Sequence, residues 1–202
     1  MEGNSAERDG RRRRSADSKR RIVEAMLELV REGAVSPSAD DVAARAGVGR
    51  RTVFRLFSDM EGIYREMQAI MRDRVAPVRA IPLSGDTPAA RLDALIDRRV
   101  RLFEELMPVS VAASVHRHRS PQLQADHAAI QAELRAILFD VLGDSALPDP
   151  LDREALDAAL SINLWIRLRM EQKLDVAASS AILHRLAAAV IGSASSSSNG
   201  ST

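Results

Sequence analysis

At 202 residues the chain is long enough for one or two domains with a real core, and its formal net charge is only +1. It has no cysteine, which removes disulfide frameworks, Cys-ligated zinc and thiol catalysis together. No apolar run opens the sequence and no stretch reads as long enough to span a bilayer, so neither a signal peptide nor membrane contact is expected and a cytoplasmic protein is. The small net charge hides an asymmetry: residues 1–60 carry 13 Lys/Arg against 10 Asp/Glu, and residues 61–202 carry 16 against 18. An N-terminal basic excess suits a phosphate-bearing partner.

Residues 1–17 are polar, with the run Arg11-Arg12-Arg13-Arg14, and read as a disordered basic arm that cannot build a core. A first helix follows, from about Ser18 to Glu32, with Ile22, Met26, Leu29 and Val30 as its apolar stripe. Lys19, Arg20 and Arg21 lie in its opening turn, where positive charge opposes the helix dipole and is better explained by an external anion. Residues 38–57 then read as two short helices around a tight turn. Ser38 caps the first and forms a capping box with Asp41, Val42, Ala43 and Ala46 share its inner face, and Gly47 ends it where positive φ is needed. Gly49 is a weak cap for the second, in which Val53, Phe54 and Phe57 are expected inward. Arg50, Arg51, Thr52 and Arg55 are left outward near its start. A small residue at 43, a glycine at 47 and an apolar residue at 53 are what a helix-turn-helix requires. A fourth helix opens with a capping box at Ser58 and Glu61 and is expected to stop near Ala76, before Pro77.

Residues 77–88 hold three prolines and a glycine and read as a loop. Five helical patterns are expected beyond it: from Thr87 to Pro108, over 109–119, from Pro121 to Gly143, over 153–172 behind an Asp152 cap, and over 176–191 behind Asp175. The Ser-rich residues 192–202 read as a disordered tail. The last two helices are apolar around most of their circumference, which fits a central position or burial against a partner chain.

The ordered set from Ile22 to about Met67 resembles the DNA-binding domain of the tetracycline-repressor (TetR) family of bacterial regulators. It comprises Asp41-Val42-Ala43, Ala46-Gly47-Val48, Thr52 to Phe57, then Ser58 to Met67. The resemblance implies an all-α protein. An N-terminal three-helix helix-turn-helix domain with its connecting helix would occupy residues 18–76, and a helical ligand-binding and dimerisation domain residues 77–191. It further implies a transcriptional regulator, a repressor released from its operator by a small molecule. Its partners would be a near-palindromic double-stranded DNA operator, a second copy paired through the helices at 153–172 and 176–191, and an unidentified effector. When bound to DNA it would sit in the bacterial nucleoid.

On that reading Arg50 and Arg51 read bases, Ser38 and Thr52 meet phosphates, and Arg55 does either. The family commonly has Tyr, His and Lys as phosphate contacts where this chain has Phe54, Leu56 and Met60, apolar side chains that donate no hydrogen bond. Arg11, Arg12, Arg13, Arg14, Lys19, Arg20 and Arg21 are therefore expected to supply the missing charge. Candidate pocket residues are Phe103, Met107, Val111, Val115, His116, His127, Phe139, Asn163 and Trp165, each of which could equally be packing or interface. His116 and His118 point to different sides of a helix, so no metal is expected, and neither a cofactor nor a catalytic constellation is read. The alternatives are a helical protein-interaction module and a small cofactor-independent helical enzyme, neither binding DNA.

Overall fold

A computed structural model of the chain describes residues 3–143 and 147–198. Among them there is no strand, and the fold is all-α. The helices are α1 (Gly3–Arg31), α2 (Ala39–Ala46), α3 (Arg50–Leu56), α4 (Met60–Arg79), α5 (Pro88–Arg117), α6 (Pro121–Leu142), α7 (Pro150–Ala159), α8 (Ile162–Ile166) and α9 (Val176–Ser198); α8 runs on into a π-helical turn, Arg167–Glu171. The chain divides into an N-terminal unit, Met1–Arg74 with Pro108–Gln124, and a C-terminal unit, Val75–Met107 with Ala125–Thr202. The segment Pro108–Gln124 groups with the N-terminal residues, and Val75 begins the other unit.

The N-terminal unit is built on α1. Ile22, Val23, Met26 and Val30 of α1 are buried with Val42, Ala43 and Ala46 of α2, Val53 of α3 and Ile63, Tyr64, Met67 and Met71 of α4. Methyl-sized side chains at Ala43 and Ala46 let helices approach closely. Arg45 ties α2 to α1 by a two-pronged contact with Glu32 (2.8 and 2.7 Å), and this holds the Glu32 carboxyl below its usual range.

Several helix ends differ from the sequence expectation. α1 starts at Gly3, so the described part of the arm is helical rather than disordered. That segment contains no proline and several fair helix formers, and Arg14 Nε donates to the Gly10 carbonyl at 3.2 Å. α4 is capped by Asp59, whose carboxylate accepts from the Gly62 N–H at 2.8 Å, and not by Ser58. It also passes Pro77 and ends at Arg79. A proline that close to a helix end removes one hydrogen bond, and the next turn still closes from Ala80 N–H to the Ala76 carbonyl (3.0 Å).

Pro108 likewise does not split α5, which is one helix where two were expected. An interior proline costs about 3 kcal/mol, and the turn beyond it is held by the burial of Val109 and Ala112. The stretch 153–172 is the reverse case, one expected helix that breaks in two. Asp149, not Asp152, caps α7 through the Leu151 N–H (2.8 Å), with Pro150 at the first helical position. Ser161 ends it and caps α8 through the Leu164 N–H (3.2 Å).

In the C-terminal unit, Leu92, Leu95, Ile96 and Phe103 of α5 are buried with Leu138 of α6, Leu156 and Leu160 of α7, Trp165 of α8 and Leu183 of α9. The Trp165 and Phe103 ring centroids lie 6.5 Å apart, and the indole N–H donates to Glu104 at 2.9 Å. Arg169 also binds Glu104, at 2.9 Å, which fixes the π-helical turn to α5. On α9 the His184 ring lies between Asp93 and Asp97, at 3.1 and 3.3 Å.

α9 is capped by Asp175 through the Ala178 N–H (2.7 Å) and runs on to Ser198, into the expected tail; residues 199–202 of that tail lie outside the described residues. Ser179, Leu183, Ala187 and Ala194 are its buried positions, while Val176 and Leu186 are each 37 % exposed. Over Val176–Ala194 the mean hydropathy is 1.4, so by length and composition this helix could cross a membrane, contrary to the expectation that no stretch could. The run is easily overlooked because much of its apolar character comes from alanine.

Candidate DNA-binding surface and ligand cavity

The turn between α2 and α3 is fixed at both ends by local chemistry. Ser38 has extended backbone (φ −76°, ψ 163°) and its hydroxyl accepts from the Asp41 N–H at 3.2 Å, while the Ser38 N–H donates to the Asp41 carboxylate at 2.9 Å. These bonds hold the Asp41 carboxyl below its usual range. At the other end Gly47 has φ 64° and ψ 38°. Its N–H donates to Ala44 and the Val48 N–H donates to Ala43 (3.3 and 3.0 Å), the paired bonds of a Schellman motif. Gly49 precedes α3 with extended backbone and supplies no side-chain cap.

Val53 and Phe57, four residues apart, face inward at 1 % and 4 % exposure. Phe54 does not join them. It is 44 % exposed, and the Arg50 guanidinium lies 5.5 Å from its ring centroid. A helix turns about 100° per residue, so a side chain next to Val53 points well away from it, whereas Arg50 and Phe54 share a face at i, i+4. The inward placement of Phe54 is therefore corrected.

The outward face of α3 presents Arg50, Arg51 and Arg55 as exposed residues, with Thr52 half-buried. Arg50 pairs with Asp40 at 2.7 Å, and both side chains remain mostly exposed. Arg51 and Arg55 have no acidic partner among the described residues. The Ser38 hydroxyl is engaged with Asp41. Lys19 is tied to Glu66 and lies 5.3 Å from the Phe57 ring centroid, so its charge is used within the unit. Among the described residues Arg20 makes only a long i, i+4 pair with Glu24 (3.7 Å), and Arg12, Arg13, Arg14 and Arg21 are exposed. The Arg11 side chain lies outside the described residues.

The nine pocket candidates do not gather around one cavity. Val111, Val115 and His116 belong to the N-terminal unit, where the His116 ring packs on Tyr64 (centroids 4.8 Å apart) and its Nε2 is 3.2 Å from the Ser36 hydroxyl. Val115 is exposed. In the C-terminal unit Phe103 and Trp165 are core, Met107 and His127 are half-buried, and Asn163 is exposed. The guanidiniums of Arg135 and Arg153 lie 4.9 and 4.3 Å from the Phe139 ring centroid. A cavity of about 490 Å³ does exist in that unit, lined by Arg79, Ala80, Leu83, Leu95, Arg98, Arg99, Leu102, Leu134 and Ile137. None of the nine is among them.

What sequence reasoning missed here is Arg99. It falls on the buried stripe of α5 with Leu92, Leu95, Ile96, Leu102 and Phe103, and it is 2 % exposed. A charge at a stripe position was the readable signal. Its Nη1 donates to the Leu160 carbonyl (2.8 Å) and its Nη2 to Leu134 (2.6 Å), while Nε has no partner among the described residues.

Residues 18–67 match the family of bacterial regulatory proteins described as the tetR family. Among solved structures, the chain is similar to a transcriptional regulator from Rhodococcus sp. Rha1, with 20 % identity and a TM-score of 0.69 over 87 % of this chain and 97 % of that one. A protein from Rhodococcus sp. provisionally assigned as a TetR-family regulator gives 18 % identity and 0.62 over 86 % and 98 %. One from Mesorhizobium loti MAFF303099, assigned in the same provisional terms, gives 22 % and 0.59 over 89 % and 96 %. At these identities the likeness establishes the fold. No curated protein matches the chain.

Proposed function

We propose that this chain, which belongs through residues 18–67 to the tetR family of bacterial regulatory proteins, represses transcription as a homodimer that a small molecule releases from DNA. DNA-binding regulation is the family's activity; repression, the two-fold assembly and ligand release are the reading put forward here. The observation that carries it is the outward face of α3. A short helix pinned by a capping box and a Schellman turn presents Arg51 and Arg55 with no acidic partner among the described residues, and Arg50 in a solvent-exposed pair. Exposed ion pairs are worth about 0–1 kcal/mol, so DNA can displace Asp40 at little cost.

In the major groove, Arg50 and Arg51 would read guanine edges, and Thr52 and Ser38 would set the register on phosphates. Arg12, Arg13, Arg14 and Arg20 on the exposed side of α1 would add interactions along the backbone. Two copies, joined by the uncovered apolar faces of α8 and α9, would place paired α3 helices about 34 Å apart, one turn of DNA. α4 contributes residues to both units, so a ligand acting near Arg79 would act on the helix whose Glu66 pairs with Lys19 of α1. The protein would act in the cytoplasm, where bacterial DNA is.

Transcription in vitro from a promoter that overlaps a selected binding site tests the sign. Added protein should lower the transcript level. A rise would make the protein an activator and overturn repression.

A further inference from the structure

The cavity of the C-terminal unit is apolar along Leu83, Leu95, Leu102, Leu134 and Ile137, yet three arginines line it and no carboxylate does. Arg79 is paired with Glu133. The other two have no acidic partner within reach among the described residues. Arg98 donates from Nη1 to the carbonyls of Arg79 and Ile81, both at 3.1 Å, and among the described residues its Nε and Nη2 make no hydrogen bond. Those two atoms form the edge of a guanidinium that grips a carboxylate or phosphate with parallel bonds. Arg99 is buried, its Nη atoms bound to carbonyls and its Nε unpartnered among the described residues. The acid whose charge acts on Arg99, Asp157, is taken up by Arg135 at 3.0 Å.

Burying a charge without a counter-charge is costly, and two neighbouring cations repel each other as well. Both effects appear in the ease of deprotonation. Burial pushes the Arg99 pKa down to about 10, and burial together with Arg79 shifts that of Arg98 down. Two such cations at the wall of an apolar space call for an anion.

We infer that the cavity takes an amphipathic anion, an apolar body of moderate size carrying one carboxylate or phosphate, with the anion gripped by the free edge of Arg98 in the field of the buried Arg99 charge. This rests on the reading that the C-terminal unit binds an effector, and it names the effector's chemical class. A volume of about 490 Å³ is in the range of small-molecule sites. The anion would take the Nε and Nη2 edge of Arg98 while Nη1 keeps the carbonyls of Arg79 and Ile81, so it would be held beside the C-terminal end of α4.

The test is calorimetric titration of the full-length protein with decanoate, decyl phosphate and decan-1-ol, which share an apolar chain and differ in head group. At least one anion should bind about tenfold or more tightly than the alcohol, the gain expected from a charge-assisted hydrogen bond. Whichever anion binds more tightly identifies the head group. Arg98→Met keeps the apolar stem and should remove the preference for the anion while leaving decan-1-ol unchanged. Arg98→Lys should retain part of it, and circular dichroism checks that both variants are folded. Equal affinities for alcohol and anions, no binding of either anion, or an undiminished preference in Arg98→Met would overturn the inference. Operator release is scored separately on DNA-bound protein. If a molecule of other chemistry releases DNA while the anions fail, the release reading stands and this inference falls. If the anions bind and DNA is retained, the inference stands and the release reading falls.

Discussion

Tyr64 brings a hydroxyl into the core of the N-terminal unit at 1 % exposure, and that hydroxyl has no hydrogen-bond partner among the described residues. Burial raises its pKa to about 12 from an ordinary value of 10. A folded-state value above the unfolded one contributes stability that is complete below pH 10 and is lost as pH rises toward 12. Tyr64→Phe removes both the unpaired hydroxyl and the titration. It should leave stability at pH 7 within about 1 kcal/mol of the parent, or raise it, and should blunt the loss above pH 10 in urea melts. A large loss at pH 7 would mean that the hydroxyl is bonded after all. Asp40 offers a second test at this scale. Asp40→Asn frees Arg50 and removes a negative charge beside the DNA, so affinity should rise on all duplexes alike, as measured by fluorescence anisotropy. A drop would show that the pair is needed to orient Arg50.

At the scale of single helices, the caps are the parts with predictable worth. Ser38→Ala should cost about 1 kcal/mol of stability in a thermal melt. Gly47→Ala meets no atom within 4 Å of the added Cβ, so its cost is the backbone alone, about 1–2 kcal/mol for an L residue at positive φ. Both changes should weaken DNA binding by disturbing the turn that aims α3. The basic start of α1 is tested by removing residues 1–15. Each phosphate interaction removed with them should reduce the salt slope of log affinity by about 0.9, with base preference nearly unchanged. An unaltered slope would leave this segment a solubilising extension. The caps were legible in sequence because they depend on neighbours: Ser38 with Asp41, and Gly47 with its own φ. Pro108 and the break at Ser161 were not, because each sets a local preference against packing, and the proline lost while the serine won. Phe54 lies off the inward side because Val53 and Phe57 define it, and the neighbouring position is about 100° away around the helix. The cavity is not legible from apolar residues, which mark core as readily as pocket; its readable signal is the pair Arg98 and Arg99, a charge beside and a charge on the buried stripe of α5.

For the whole molecule, the proposed reading of a near-palindrome would require two copies. Asn163, Ile166, Arg167 and Met170 on α8 and its π-helical turn, with Val176, Leu186 and the exposed alanines of α9, are at least partly uncovered in a single chain. Leu186→Glu should therefore convert a dimer to a monomer in sedimentation analysis and weaken DNA binding without unfolding the protein. The central claim, that α3 reads DNA bases from a two-fold assembly, is tested most directly by selecting binding sites from random duplexes with the parent protein and with Arg51→Ala. The parent should enrich a near-palindrome with half-sites about one helical turn apart. Arg51→Ala should lose preference at one position in each half-site, a cost of about 1–3 kcal/mol per base pair read. No enrichment by the parent, or an identical motif from the variant, would contradict the claim.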